Sequence, residues 1–203
     1  PILIIAGPTG VGKTQLAYEL ACSGGQEIVS ADSMQVYRGM EIGSAQPSEE
    51  LRRRIRFHVC GMIDPAAAFN VSQFLDLCDQ AHRSILDRGK TPLYTGGTGL
   101  YLRALRWGIF GDKSRDKNVR RDLEIKCEAK GLDMMYAGLL KLDPVTAQRV
   151  SPHDRMRIIR ALEVYGLTGK PISELQSQWS AAKARFPHRL VVVATSRKAL
   201  RNR

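Results

Sequence analysis

Apolar side chains in the first hundred residues follow two rhythms. Residues 1–6 are an unbroken apolar run closed by Gly7, as in a strand covered on both faces. Residues 13–23 repeat apolar positions at helical spacing, with Leu16, Ala17 and Leu20 on one side and Gly24-Gly25 as the stop. Short strands are predicted over 27–31 and 57–60. A helix with Ser72 as N-cap runs to about Arg88, carries Phe74, Leu75, Cys78, Ala81, His82 and Ile85 on one face, and closes at Gly89. Residues 91–95 predict the next strand, ended by Gly96-Gly97, and a further helix starts near Thr98. Strands separated by helices imply right-handed crossovers and a parallel sheet.

After Trp107 the strand rhythm disappears. A charged segment, 112–117, leads into helical patterns over 119–130, 134–141, 144–149 and 154–165, with stops at Gly166 and Gly169-Lys170-Pro171. On the last of these helices Ile158, Ala161, Leu162 and Tyr165 share a face and are expected in the core, while Arg157 and Arg160 share another. A strand pattern returns at 189–194. These patterns predict an α/β fold: a parallel sheet flanked by helices over 1–110 and 180–203, with an α-helical insertion domain over 111–179.

Composition supports a globular core: 43% of the 203 residues are apolar and 25% charged, which excludes a disordered chain. No run approaches the roughly 20 apolar residues of a membrane span, so no membrane partner is expected. Lys and Arg number 31 against 20 Asp and Glu, and the resulting +11 favours a polyanionic partner without requiring one. Cys22, Cys60, Cys78 and Cys127 are scattered and lack zinc-like spacing. Reduced thiols and a cytoplasmic location are expected. No basic-then-apolar leader precedes the first strand, which points the same way.

The sharpest chemical signal is Gly7-Pro8-Thr9-Gly10-Val11-Gly12-Lys13-Thr14, a full GxxxxGK[ST] motif between a strand and a helix. Its glycines let backbone N–H groups turn onto a phosphate, and the helix N-terminus adds favourable potential. Lys13 supplies a point charge, and the Thr14 hydroxyl suits Mg²⁺. The sheet is therefore expected to be P-loop NTPase-like. Ordinary NTPases carry a second strand of apolar residues ending in Asp. Here 91–95 runs into Gly96-Gly97-Thr98, and 190–194 into Thr195-Ser196-Arg197, neither with a carboxylate. The acid just past a strand is Asp32, which reads as a magnesium ligand, as a base aimed at an acceptor, or as an ordinary strand-end turn.

Three further blocks accompany the phosphate loop: Ser30-Ala31-Asp32-Ser33-Met34-Gln35-Val36-Tyr37-Arg38-Gly39-Met40, Gly96-Gly97-Thr98-Gly99-Leu100-Tyr101, and Asp154-Arg155-Met156-Arg157-Ile158-Ile159-Arg160-Ala161-Leu162-Glu163-Val164 followed by Thr168-Gly169-Lys170. In this order and spacing the chain resembles the tRNA dimethylallyltransferase family over almost its whole length. The resemblance implies transfer of a dimethylallyl group from dimethylallyl pyrophosphate to the N6 amine of adenosine 37 beside the anticodon. It implies that the loop holds the donor's pyrophosphate, with Mg²⁺ as cofactor and the tRNA anticodon stem-loop as partner. It assigns Asp32 as the base, Thr98 as a hydroxyl aligning base or amine, and Arg197 as a pyrophosphate contact. It assigns tRNA contacts to Asp32, Ser33, Met34, Gln35, Thr98, Arg120, Met156, Arg157, Ile158, Ile159 and Arg160. Gln35 has the amide needed for a bidentate adenine contact. A monomer is expected. Family members run past the point matching Arg203, which implies a longer protein with further tRNA contacts.

Set against these readings, Thr98 is also a natural helix N-cap, and Arg157, Arg160 and Arg197 also suit a solvated surface. Arg52, Arg53, Arg54 and Arg56 form the densest basic run, by default a solvated face. The four histidines form no cluster, and His82 is expected to be structural. Trp107 and Trp179 bracket the insertion and are expected to pack. The competing functions are a small-molecule P-loop kinase, disfavoured by the missing strand-end acid, and a non-catalytic RNA-binding module, which leaves the phosphate loop without a role.

Overall fold

The computed structural model describes residues 1–109, 116–181 and 183–201. Residues 110–115, which take in the start of the charged segment, and the side chain of Trp179 lie outside the described residues. The chain divides into two compact units, one of residues 1–108 and 184–203, the other of residues 109–183.

The first unit holds five strands: β1 Ile2–Ala6, β2 Gln26–Ser30, β3 Phe57–His58, β4 Thr91–Gly96 and β5 His188–Val192. They pair in parallel in the order β3-β2-β4-β1-β5. Helices α1 (Lys13–Gly24), α2 (Glu49–Arg54), α3 (Val71–Asp87), α4 (Gly99–Trp107) and the short α10 (Arg197–Arg201) belong to this unit. One face of the sheet packs Ile5, Ile28 and Leu93 on Ala17 and Ala21 of α1. Two alanines let α1 lie close to the strands, and the partly exposed Leu20 is not part of that seam as its spacing implies. Tyr94, the next residue of β4, faces the opposite way, where His82 of α3 lies 2.9 Å from its hydroxyl. His82 is thus structural, as expected.

Several boundaries move for local reasons. Asn70, not Ser72, caps α3: its side chain accepts the Ser72 and Gln73 N–H groups while Gln73 returns a bond to the Asn70 N–H. The strand predicted over 57–60 ends at His58, because Val59 adopts a positive φ of 55°. The last strand starts at His188, and it is not the buried strand its apolar run implies. It lies at the sheet edge, leaving Val191 and Val192 45% and 62% exposed. Neither α2 nor α10 has enough apolar periodicity to stand out in the sequence. Three of the four basic-run arginines belong to α2. Arg53 and Arg54 pair with Glu49 and Glu50, while Arg52 bonds Gln46 and the Pro47 carbonyl, so the run largely satisfies itself.

The second unit is helical: α5 Lys117–Lys130, α6 Leu132–Leu142, α7 Pro144–Arg149, α8 Arg155–Thr168 and α9 Ile172–Ala181. Its core holds Cys127, Met135, Leu139, Ala147, Ile158, Ile159 and Ala161. Leu162 and Tyr165 are only half-buried, and the α8 face is rotated so that Ile159 and Val164 join the core. Asp143, 2% exposed, caps α7 through Thr146 and also accepts the Ser173 N–H and hydroxyl, which ties α9 to the α6–α7 junction. Burial pushes its carboxyl up, but the Ser173 and Thr146 bonds win and hold it below the ordinary value. Helix α9 does not stand out in the apolar pattern, although Pro171 just before it is a start signal.

Candidate active site

The phosphate loop leaves β1 through Gly7, where an added Cβ would strike the Val193 carbonyl. Gly10 and Gly12 take φ of 81° and 95°, open to glycine without cost, and Lys13 starts α1. Lys13 Nζ donates to the Pro8 carbonyl at 2.8 Å. Burial lowers its pKa, and the Asp32 charge works against that shift.

Asp32 follows β2 directly, and its Oδ1 accepts the Met34 N–H at 2.9 Å, closing an Asx-type turn. That bond satisfies one oxygen. The other faces Gly97 of the β4–α4 turn: a Cβ there would sit 3.9 Å from Asp32 Oδ2 and 3.8 Å from Lys13 Nζ. At Gly96 a Cβ would run into the Ala31 carbonyl. The Gly96-Gly97 pair therefore lets the ends of β2 and β4 approach, so base and cation look onto one space. A cavity of about 360 Å³ opens there, within the range of small-molecule sites. Lys13, Thr14, Asp32, Gln35, Thr95 and Gly96 line it, with residues 44–48 and Leu51 on the far wall.

Thr98 occupies the N-cap position of α4 but makes no side-chain cap bond. Its Oγ1 instead accepts the Ser33 N–H at 3.0 Å and donates to Ser33 Oγ at 3.2 Å. The threonine thus fixes the residue next to Asp32. Met34 is 47% exposed. Gln35, expected as an adenine reader, has both ends of its amide engaged within the protein. Its Oε1 accepts from Ser30 Oγ at 2.8 Å and its Nε2 donates to the Ala45 carbonyl at 2.9 Å, so both ends of the amide hold the 44–45 turn against β2. Arg197 opens α10 and is exposed, but it is not among the cavity-lining residues. Leu200 of that helix is what comes near the loop, 3.9 Å from where a Cβ on Gly10 would lie.

The structure also brings together residues that sequence order separates in the helical unit. Arg120 of α5 reaches the Met156 sulfur of α8 at 3.7 Å, and Met156 is 66% exposed. Arg157, next to it, is open to solvent and pairs with Asp154 at 3.1 Å. Arg160 turns inward to the buried Glu163, 2.9 Å away. Ile158 and Ile159 must be withdrawn as RNA contacts, because their side chains are 0% and 2% exposed within the core of this unit. A run of consecutive helical residues cannot all face a ligand, and here the apolar members took the inner side.

Thr95 and residues 44–48 are site residues that the sequence analysis missed. The signal for Thr95 was its place two residues beyond Leu93 on one strand face. For 44–48 no local pattern existed. For Mg²⁺ the donor set fits: the hydroxyl of Thr14 beside one carboxylate, Asp32, suits an ion that keeps waters and takes its other oxygens from phosphate. No group of three or more His, Cys, Asp and Glu among the described residues could hold a metal without such help.

Known proteins resemble this arrangement over most of the chain. The tRNA dimethylallyltransferase of Geobacter metallireducens is 47% identical over 175 residues, 86% of this chain and 57% of that protein. A eukaryotic dimethylallyltransferase crystallised acting on tRNA superposes with a TM-score of 0.80 at 32% identity, over 96% of this chain and 48% of that one. A tRNA isopentenylpyrophosphate transferase from Staphylococcus epidermidis gives 0.60 at 30% identity, over 98% and 65%. The chain spans a little over half the length of the curated relatives it matches. A family model described as IPP transferase matches residues 35–203. With that much of its length matched, the chain belongs to the IPP transferase family.

Proposed function

We propose that this protein carries the catalytic site for transferring a dimethylallyl group from dimethylallyl pyrophosphate to N6 of adenosine 37 in tRNA, releasing pyrophosphate. The observation that carries the reading is the meeting of Lys13 and Asp32 across Gly97 in one cavity. In the reaction the N6 lone pair forms a bond to C1 of the donor while the C1–O bond breaks, its electron pair leaving with the pyrophosphate. Lys13 and the loop N–H groups offset the charge that grows on that leaving group. The N6 proton, made acidic by the new C–N bond, passes to the free oxygen of Asp32. Thr98 holds Ser33 and thereby the backbone that aims Asp32. Mg²⁺, held through Thr14 and the donor's phosphates, would supply further charge neutralisation.

Arg120, Met156 and Arg157 are the contacts proposed for the anticodon stem-loop, whose splayed bases and backbone suit an exposed thioether beside cations. The reading extends to a monomeric enzyme in the cytoplasm. No helix among the described residues is long and apolar enough to cross a membrane. A small-molecule kinase is disfavoured, since β4 ends without a carboxylate.

The test uses the full-length protein, an anticodon stem-loop and labelled dimethylallyl pyrophosphate. Label should appear on adenosine N6, and inorganic pyrophosphate should displace the donor at lower concentration than ATP. Tighter binding of ATP with transfer of its terminal phosphoryl group would replace this reading with the kinase.

A further inference from the structure

Side chains alternate along β4, so Thr95 lies on the same face as Leu93. Leu93 packs on Ala17 and Ala21 of α1. Thr95, one step further along that face, comes beneath the start of the same helix, where Lys13 and Thr14 stand, and it lines the cavity with them. Its residue is 6% exposed. Its carbonyl accepts the Ala31 N–H at 2.7 Å, but its Oγ1 is a buried side-chain atom without a hydrogen-bond partner among the described residues.

Buried hydroxyls are almost always paired, because leaving one unpaired costs its lost hydration. Where such an orphan lies at the wall of a cavity, a bound ligand or water supplies its partner. The position adds to this. β4 neighbours β1, and ordinary P-loop NTPases carry a carboxylate on the strand that serves their loop. A threonine there presents a proton donor to an anion where a carboxylate would repel it.

We infer that Thr95 is a further ligand-binding residue, its Oγ1–H donating to an oxygen of the pyrophosphate group held by Lys13 and the loop. This rests on the reading of the cavity as a pyrophosphate site. A hydrogen bond to that group strengthens as charge gathers on it, so the same contact assists departure of the leaving group.

Two measurements on the protein and its Thr95→Val, Thr95→Ala and Thr95→Ser variants test the assignment. Valine keeps the shape and removes the orphan, so Thr95→Val should melt at or above the wild-type temperature without ligand. Titration with inorganic pyrophosphate should show binding weakened about tenfold in Thr95→Val, as for loss of one hydrogen bond to a charged group. Thr95→Ala should be weakened similarly, and Thr95→Ser should stay within about threefold of wild type. The loss should be the same in EDTA as in magnesium. Affinity of Thr95→Val within twofold of wild type overturns the assignment alone. So does a loss confined to magnesium, which would place the hydroxyl on the cation's hydration shell. A wild-type protein that takes no pyrophosphate overturns the functional reading and this assignment together.

Discussion

At the scale of single residues, the site rests on two opposite charges, Lys13 and Asp32, that both look onto the space a side chain at Gly97 would fill. Asp32 has one oxygen committed to the Met34 N–H and the other directed toward Gly97. Asp32→Ala should lower turnover by about 10²–10⁴, the usual range for a general base, while pyrophosphate affinity changes little. Single-turnover rates and calorimetry on the same variant separate the two effects, and turnover within threefold of wild type would assign the proton elsewhere. On the proposed reading, Lys13→Ala leaves the backbone cradle in place but removes a cation that faces the leaving group. It should cost at least about two orders of magnitude in turnover and less in ground-state donor binding. Equal losses in both would mean that Lys13 binds the donor without favouring its ionisation.

At the scale of elements, Glu27 is 3% exposed, yet it joins three pieces of structure. From β2 it meets His58 of β3 at 2.7 Å, Arg88 at the end of α3 at 2.6 Å and Lys90 before β4 at 3.4 Å. Burial pushes its carboxyl up, but the hydrogen bonds from Arg88 and His58 outweigh this and bring the pKa from 4.5 to about 2. A depressed acid contributes stability above its unfolded value. That contribution is complete above about pH 4.5 and is lost as pH falls toward 2. Glu27→Gln should cost about 2–3 kcal/mol at neutral pH, somewhat under the penalty for a fully buried pair because Arg88 and Lys90 can turn to water. Urea denaturation should show the loss at pH 7 and convergence with wild type near pH 2. A constant difference across that range would assign the cost to packing.

The pairing of α5 with α8 makes a second prediction at this scale. Arg120 and Arg157 pair with the carboxylates of Glu124 and Asp154 near the surface, and such pairs are weak enough for RNA phosphates to displace. Arg120→Ala with Arg157→Ala should weaken tRNA binding and reduce the slope of log affinity against log salt by about two, if each meets one phosphate. Arg160→Ala should act differently, lowering stability by removing the cation paired with the buried Glu163, which would keep only the Asp116 N–H as a partner among the described residues. An unchanged salt slope in the double variant would return both arginines to the solvated surface.

At the scale of the whole molecule, the helical unit leaves the sheet unit after Gly108 and rejoins it near Arg185, whose N–H donates to the Arg106 carbonyl at 2.9 Å. Exit and re-entry points are thus adjacent. The sheet unit should therefore survive replacement of residues 109–183 by a short Gly-Ser linker. The shortened protein should still gain thermal stability from inorganic pyrophosphate but lose anticodon stem-loop binding. Loss of the pyrophosphate response would show that the cavity depends on the helical unit.

The sequence alone determined what is local and periodic. The apolar run of β1, the glycines of Gly7–Thr14, the 3.6-residue rhythm of α3 and the change of texture after Trp107 each state their structure within a dozen residues. So do Lys13 and Asp32, since each sits in a motif or at a strand end. Tertiary structure decided what depends on neighbours distant in sequence. It set β5 at the sheet edge, although its apolar run reads as central. It turned Ile158 and Ile159 inward and Arg157 outward within one basic stretch. It engaged the Gln35 amide with Ser30 and Ala45, and it took the Thr98 hydroxyl from its helix cap to Ser33. In each case the side chain's partner lies on another element. A residue's own spacing limits which way it can point, but whether that direction meets water, core or a hydrogen-bond partner is settled only when the elements pack.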